Sequence, residues 1–284
     1  MALVKVSEVL KLADAANTSA IAFNCVDFNT VHSVITVAEE LQKPVIIMLY
    51  PGHCIDNHWS TPAAFAPMVA AEAAKVKVPV ALHMDHSSDF EYIKGAIDAG
   101  FTSVMYDGSM LSAEENLKNT KEVVEYAHAH GCEVEAELGC VGLAAVETHQ
   151  DNTDMYTKPE TAKAFCDESG CDSVAVAIGS AHGYYTKTPK LDLDRLQAIN
   201  AATDVPLVLH GGSGIPDDQL VKSFTMGINK FNVGTEFVGL YFKSVCGYAA
   251  KYKDDPKHII LDMAIPVQEA LMDYLRVKMQ LCKM

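Results

Sequence analysis

Short apolar runs alternate with amphipathic segments along the whole chain. The runs are AIAFN (20–24), PVIIML (44–49), VPVALHMD (78–85), SVMYDG (103–108), CEVEAELG (132–139), SVAVAIGS (173–180), VPLVLHGG (205–212) and KFNVGT (230–235). Most are near-continuous, the pattern of strands covered on both faces, as in a parallel sheet. Between them, TVHSVITVAEELQ (30–42), FEYIKGAIDAG (90–100), AEENLKNTKEVVEYAHAHG (113–131), KPETAKAFCDESG (158–170) and PDDQLVKSFTMG (216–227) read as helices. The N-terminal MALVKVSEVLKLADAAN also has the spacing of an amphipathic helix. Gly100, Gly131, Gly170 and Gly227 stand where four of these helices must stop. Strands alternating with helices imply parallel pairing, and eight strands predict an α/β fold, a closed (β/α)8 TIM barrel with an additional C-terminal helix. An open doubly wound sheet is the competing architecture, but no strand-to-helix turn carries G-x-G-x-x-G. No linker-like stretch interrupts the pattern, so residues 1–284 are expected to form a single domain.

Composition narrows the function classes. The chain is 49% hydrophobic and 21% charged, as expected of a globular protein with a large core. Its formal charge of −15 argues against nucleic acid or an anionic membrane as a partner, while leaving room for a small phosphate in a locally positive pocket. The N-terminus lacks a signal-peptide layout, so a cytoplasmic enzyme is expected. The eight cysteines form no C-x-x-C pair and read as reduced, mostly buried thiols.

The pattern breaks at the strand ends. The strand VPVALHMD finishes on Asp85 with His86 beside it, and others finish on Asn24, Asp107, Glu137, Ser180 before His182-Gly183, His210-Gly211-Gly212-Ser213 and Asn232-Val233-Gly234-Thr235. In a (β/α)8 barrel the C-terminal strand ends converge on one rim, where the chemistry of the fold is built. Three histidines (86, 182, 210) without cysteine suit a catalytic Zn²⁺ or similar divalent ion with a position open for substrate. Asp107 and Glu137 could bind the outer nitrogen of a ligating histidine or hold a second ion. Strand alternation would point Asp85 and His86 to opposite faces, so the chain must turn there for both to reach one site. By the same scheme His83 is not expected on the metal of His86. The glycine-rich endings after the seventh and eighth strands fit phosphate binding through backbone N–H groups and a helix N-terminus.

The segments LHMDHSSDFEYIKGAIDAGFTSVMYDGS, EVEAELG, AVAIGSAHGYY, PLVLHGGSGIP and KFNVGTE together resemble the class II, zinc-dependent ketose-bisphosphate aldolases, the fructose- and tagatose-1,6-bisphosphate enzymes. The resemblance runs from AFN at 22–24 to the C-terminal helix. It implies reversible cleavage of a ketose 1,6-bisphosphate to dihydroxyacetone phosphate and glyceraldehyde 3-phosphate, with Asp85 as the acid/base residue and His86, His182 and His210 on the catalytic metal. Asp107 and Glu137 would serve an alternative or second metal position. Gly183, Gly211, Gly212, Ser213, Asn232, Val233, Gly234 and Thr235 would bind the proximal phosphate, with Asn24 also facing the substrate. A monovalent cation (Na⁺ or K⁺) near that phosphate and assembly as a homodimer or homotetramer are implied too. The chemistry agrees: cleaving C3–C4 leaves an enediolate whose charge needs a Lewis acid, and a carboxylate must take the C4 hydroxyl proton.

Departures from the family pattern mark where substrate identity is open. Ser87-Ser88 follows His86, where relatives carry glycine or histidine. The loop CVGLAAVETHQDNTDMYTK (140–158) lacks the G-G-x-E-D pattern, which leaves Glu147 as the candidate second proton donor. NVGTE is closer to the N-V-A-T-E of tagatose-type enzymes than to N-I-D-T-D, which favours tagatose over fructose. Lys257, Arg276 and Lys278 are available for a distal phosphate. The alternatives are a class II aldolase acting on another phosphorylated ketose or a deoxy-keto acid, and a non-catalytic sugar-phosphate-binding accessory subunit. A Schiff-base aldolase would need a lysine at an interior strand end, and Lys230 sits near the start of its strand. A metal-dependent hydrolase usually needs a histidine pair on the first strand, where AFN offers none.

Overall fold

Side-chain alternation, hidden in the apolar runs, emerges once the sheet closes. The computed structural model describes residues 3–144 and 153–284. Its eight barrel strands are β1 (Ala20–Asn24), β2 (Val45–Leu49), β3 (Val80–Ser87), β4 (Ser103–Tyr106), β5 (Glu133–Leu138), β6 (Ser173–Val176), β7 (Leu207–Leu209) and β8 (Ile228–Val233). They pair in chain order, and β8 closes on β1 with Ala20 beside Lys230 and Phe23 beside Val233. Residues such as Phe23, Ile47, Leu82, Val104, Val134, Val174, Leu209 and Phe231 face outward into the main core beneath the helices. Their neighbours face the barrel axis in small clusters, Ala20, Ala22, Ile46, Met48 and Ala81 below and Met105, Ala175 and Val208 higher up. Both faces are therefore buried, which is why the runs read as continuous.

The helices follow the same logic. Helix α1 (Val6–Ala15) turns Val6, Val9, Leu10 and Ala13 onto the lower interior cluster and closes the N-terminal mouth. Helix α2 (Phe28–Leu41) starts at an Asp27 N-cap, α5 (Phe90–Asp98) at Asp89 and α6 (Ala113–Ala129) at Ser112. Asp85 and Asp107 are thus not needed as caps. Gly100, Gly131, Gly170 and Gly227 all have positive φ, as expected of helix stops. Helix α4 (Pro62–Ala73), between the short α3 (Pro51–Ile55) and β3, has small apolar residues on all sides, so no amphipathic stripe announced it. Helices α7 (Pro159–Ser169), α8 (Leu193–Asn200) and α9 (Asp217–Phe224) cover the second half of the barrel, and α10 (Thr235–Tyr252) leaves β8. The expected C-terminal helix is α11 (Ala264–Lys278), packed on α2 through Val267, Leu271 and Leu275, with Gln268 Nε2 donating to Asn29 Oδ1 at 2.9 Å. An unforeseen two-stranded parallel ribbon pairs Gly142–Leu143 with Ala181–His182 above the barrel. Six of the eight cysteines are buried and all are free, Cys140 being half-buried and Cys246 exposed. Among the described residues no helix is long and apolar enough to cross a membrane.

Candidate active site

Strands β4, β6 and β7 are shorter than their apolar runs because the last residues leave the ladder to line the C-terminal mouth. Strand β3 does this differently. The pairing of β3 with β4 shifts between Met84 and Ser87, and His86 takes φ of +36°, a left-handed conformation rare for a residue with a side chain. The extra residue in this bulge lets Asp85 and His86 reach one cavity, the turn that the sequence required. Such backbone strain costs on the order of 1–3 kcal/mol and persists only where the surroundings over-determine it.

Asp85 is 4% exposed, and both of its oxygens are held. Asn24 Nδ2 donates to Oδ2 at 2.9 Å and Asn232 Nδ2 to Oδ1 at 3.2 Å. Burial alone would raise the carboxyl's pKa, but the neighbouring His86, His210, Lys230 and His83 outweigh it and hold the pKa at about 2. Asp85 is thus a carboxylate ready to accept a proton. The amide oxygens of Asn24 and Asn232 are buried without a partner among the described residues, which leaves two acceptors beside it.

Three imidazoles converge next to this carboxylate. The ring centroids of His86 lie 4.8 Å from His182 and 4.5 Å from His210, and ligand atoms of the three lie within 4.8 Å of one another. The outer nitrogens of two rings are occupied: His86 Nδ1 is 2.9 Å from Asp107 Oδ2, and His210 Nε2 is 2.8 Å from Glu135 Oε1. Assigned from this network, each outer nitrogen donates to its carboxylate, so His86 Nε2 and His210 Nδ1 face each other at 2.7 Å, close enough to share one proton. With that proton displaced, the two inner nitrogens present lone pairs that fit a shared cation. Burial and the nearby His86 push His182 down to about 3, and they lower His210 too, so both rings are neutral. Burial also disfavours charge on His86, but Asp85, Asp107 and Glu137 override it and raise its pKa to about 9. The field that holds an extra proton there suits a divalent ion equally well. His86, Asp107 and Glu137 form a second convergent set. Glu137 Oε1 accepts from Val141 N–H at 2.9 Å, whereas its buried Oε2 has no hydrogen-bond partner among the described residues and lies 3.7 Å from His86 Nδ1, and burial with the Asp107 charge pushes its pKa up to about 8.

Beneath the imidazoles lies a layer that sequence reasoning missed. Glu135 and Lys230, both fully buried, form an ion pair with Nζ 2.7 Å from Oε2. Glu133, Glu135 and Glu137 alternate along β5, so all three face the axis at successive heights, Glu133 accepting from Ser7 N–H at 2.8 Å near the bottom. Lys230 and the nearby imidazoles hold Glu135 well below its ordinary range despite the cost of burial. The period-two spacing in CEVEAELG was the available signal. Lys230 stands inside the barrel, locked to Glu135 and outside the pocket lining. His83 lies in the same layer, Nδ1 2.9 Å from Ser103 Oγ, and is not part of the convergent imidazole set among the described residues.

The glycine-rich endings pack backbone against backbone. At Gly211, φ is +65°, and a Cβ there would sit 2.3 Å from the Ala181 carbonyl oxygen. Tyr185, also missed, staples these loops: its Oη accepts from Ala181 N–H at 2.7 Å and donates to the Gly211 carbonyl at 3.0 Å. Gly212 N–H donates to the Asn232 carbonyl at 3.1 Å, and Ser213 Oγ accepts from Glu236 N–H at 3.1 Å. Gly183, with φ of +98°, has open space where a Cβ would be, and Gly234 leads directly into the Thr235 N-terminus of α10. The Val233 side chain points away, into the core. These loops, the histidines and Asp85 share a pocket of about 600 Å³ with Tyr50 and His53. Burial and the charges of Asp85, Asp56 and Asp107 raise the Tyr50 phenol above its ordinary value.

Some expected residues are not brought together. Glu147 lies outside the described residues. Arg276 binds Glu40 and Asp273 at the surface, Lys278 reaches toward Glu236 at 3.4 Å, and Lys257 is an exposed residue between α10 and α11. None of the three lines the pocket.

Comparison with known proteins agrees with this geometry. Residues 4–284 match the family model of class-II fructose-bisphosphate aldolase. The YdjI aldolase of Escherichia coli K12 is 33% identical, with a TM-score of 0.85 over 99% of this chain and 97% of its own. A proposed fructose-1,6-bisphosphate aldolase of Coccidioides immitis is 29% identical, with a TM-score of 0.84 over 98% and 96%. The fructose-bisphosphate aldolase of Campylobacter jejuni shares the fold at 24% identity, with a TM-score of 0.83 over 99% and 95%. An aldolase family match over nearly every residue, on a closed eight-stranded barrel, places the chain in the class-II fructose-bisphosphate aldolase family.

Proposed function

We propose that the chain catalyses reversible retro-aldol cleavage of a ketose phosphate, releasing dihydroxyacetone phosphate, with Zn²⁺ held by His86, His182 and His210. The observation that carries this reading is the inward convergence of three imidazoles beside a carboxylate locked by two asparagines. When bound, the ion supplies Lewis acidity for the negative charge that develops on the C2 and C3 oxygens during bond breaking. Asp85 removes the C4 hydroxyl proton in cleavage and returns it in condensation, and its low pKa keeps it ionised for that task. Asn24 and Asn232 aim Asp85 and offer their free amide oxygens to substrate hydroxyls. Asp107 orients His86, and Glu137, next to both, serves an alternative or second metal position.

The C1 phosphate is assigned to Gly183, Gly211, Ser213 and the Gly234–Thr235 start of α10, where backbone approach and a helix N-terminus favour an anion. Gly212 and Val233 contribute through their backbone path. Binding this remote group fixes the reacting carbons over Asp85. Gly234 also bears on the C4 configuration. The nearest atoms to a Cβ there would be those of Asn24, at 3.5–3.6 Å, an ordinary van der Waals distance, so the glycine leaves room that a side chain would fill, and this supports the tagatose-type configuration. Glu147 as second proton donor, a monovalent cation near the phosphate, homodimeric or homotetrameric assembly and a cytoplasmic location complete the reading.

The test separates metal from base. His210→Ala should lose bound zinc by elemental analysis and lose cleavage while the barrel stays folded by circular dichroism. Asp85→Asn should keep full zinc and lose on the order of 10²–10⁴ in kcat. Full zinc occupancy in His210→Ala, or near-normal turnover in Asp85→Asn, overturns the corresponding assignment.

A further inference from the structure

The glycine-rich loops and Asp85 share their pocket with the end of β2 and α3. Tyr50 and His53 stand there, their rings 5.2 Å apart, and Tyr50 also faces the His86 ring edge-on at 6.3 Å. His53 Nδ1 is buried with no hydrogen-bond partner among the described residues. Met110 and Leu143 add apolar surface to the same pocket. Among the described residues that line the pocket there is no lysine or arginine, and residues 145–152, AVETHQDN, contain none. Arg276 and Lys278 are engaged with Glu40 and Glu236, and Lys257 is exposed between α10 and α11. A phosphate dianion seated there would meet no lysine or arginine among the described lining residues. A hydroxylated, uncharged chain end would instead find a phenol and an unpartnered ring nitrogen.

We propose, resting on the aldolase reading above, that the chain has a further activity: it cleaves ketose 1-phosphates that bear no distal phosphate at least as efficiently as the corresponding 1,6-bisphosphates, with Tyr50 and His53 receiving the distal hydroxyls. The step balances without any co-reactant. Asp85 takes the C4 hydroxyl proton, the C4–O electrons form the aldehyde, and the C3–C4 electron pair passes into the C2–C3 enediolate. A proton delivered to C3 then gives dihydroxyacetone phosphate, and the aldehyde leaves uncharged.

The experiment compares kcat/KM of the full-length zinc-loaded enzyme for fructose 1-phosphate with fructose 1,6-bisphosphate, and for the tagatose pair, by coupled detection of dihydroxyacetone phosphate. A ratio at or above one is expected, and a ratio below one for both pairs overturns the inference whatever group supplies the preference. No release from any of the four esters would remove the aldolase reading itself, and the inference with it. Tyr50→Phe and His53→Ala test the wall. Each should lower kcat/KM for the favoured 1-phosphate by about three- to tenfold with zinc content unchanged. Neither should affect erythrulose 1-phosphate, whose chain ends at C4. Equal losses on both substrates would overturn the distal-hydroxyl role.

Discussion

Lys230→Met removes one member of an ion pair sealed beneath the active site. Lys230 and Glu135 are both fully buried, with Nζ 2.7 Å from Oε2, so the substitution leaves the Glu135 charge with only its imidazole and hydroxyl neighbours. Breaking a buried pair in this way costs roughly 3–5 kcal/mol, because the surviving charge has lost its counter-ion without regaining water. For a chain of this size each kcal/mol moves the melting midpoint by roughly 2–4 °C, so a fall of roughly 6–20 °C is expected. The assay is thermal denaturation by circular dichroism, with urea unfolding for the free energy. Replacing both partners by apolar residues, Glu135→Leu with Lys230→Met, should recover much of the stability, since no unpaired charge remains. The double variant should still bind zinc roughly 10–100-fold more weakly, because His210 Nε2 loses the acceptor that orients its ring. A cost below about 1 kcal/mol for Lys230→Met, or undiminished zinc affinity in the double variant, would refute the claim that this layer supports the site.

Glu137 gives a pH-dependent test. Its folded pKa of about 8 lies above the ordinary glutamate value, so the native state keeps a proton that the unfolded chain releases. The stability this contributes is complete below the ordinary value and is lost as pH rises through about 8. In the presence of chelator, Glu137→Gln should therefore gain stability relative to the parent from pH 5 to 9, and parallel stability curves would contradict the assignment. Gly211→Ala places a Cβ against the Ala181 carbonyl at positive φ, and should cost roughly 1–3 kcal/mol and lower zinc occupancy through the adjoining His182. Unchanged melting and zinc content would show that the two loops are not packed rigidly together.

The barrel was legible because parallel strands covered on both faces must be apolar at nearly every position, a local property that needs no knowledge of partners. The convergence of Asp85, His86, Asp107, Glu137, His182 and His210 followed from topology alone, since the strand ends of a closed parallel barrel share one rim. Tertiary structure decided what depends on pairings distant in sequence. Asn24 reached Asp85 across 61 residues, and Asn232 across 147, so two expected substrate contacts also hold the base. The bulge that admits His86 appears only when β3 is set against β4, and Lys230 finds Glu135 across 95 residues of chain. The distal phosphate candidates failed to reach the pocket because their charges are taken up by α2, α9 and α10 or stay in solvent. Periodicity tells which residues share a face of one strand; only closure of the sheet determines which charges then meet in a space that excludes water.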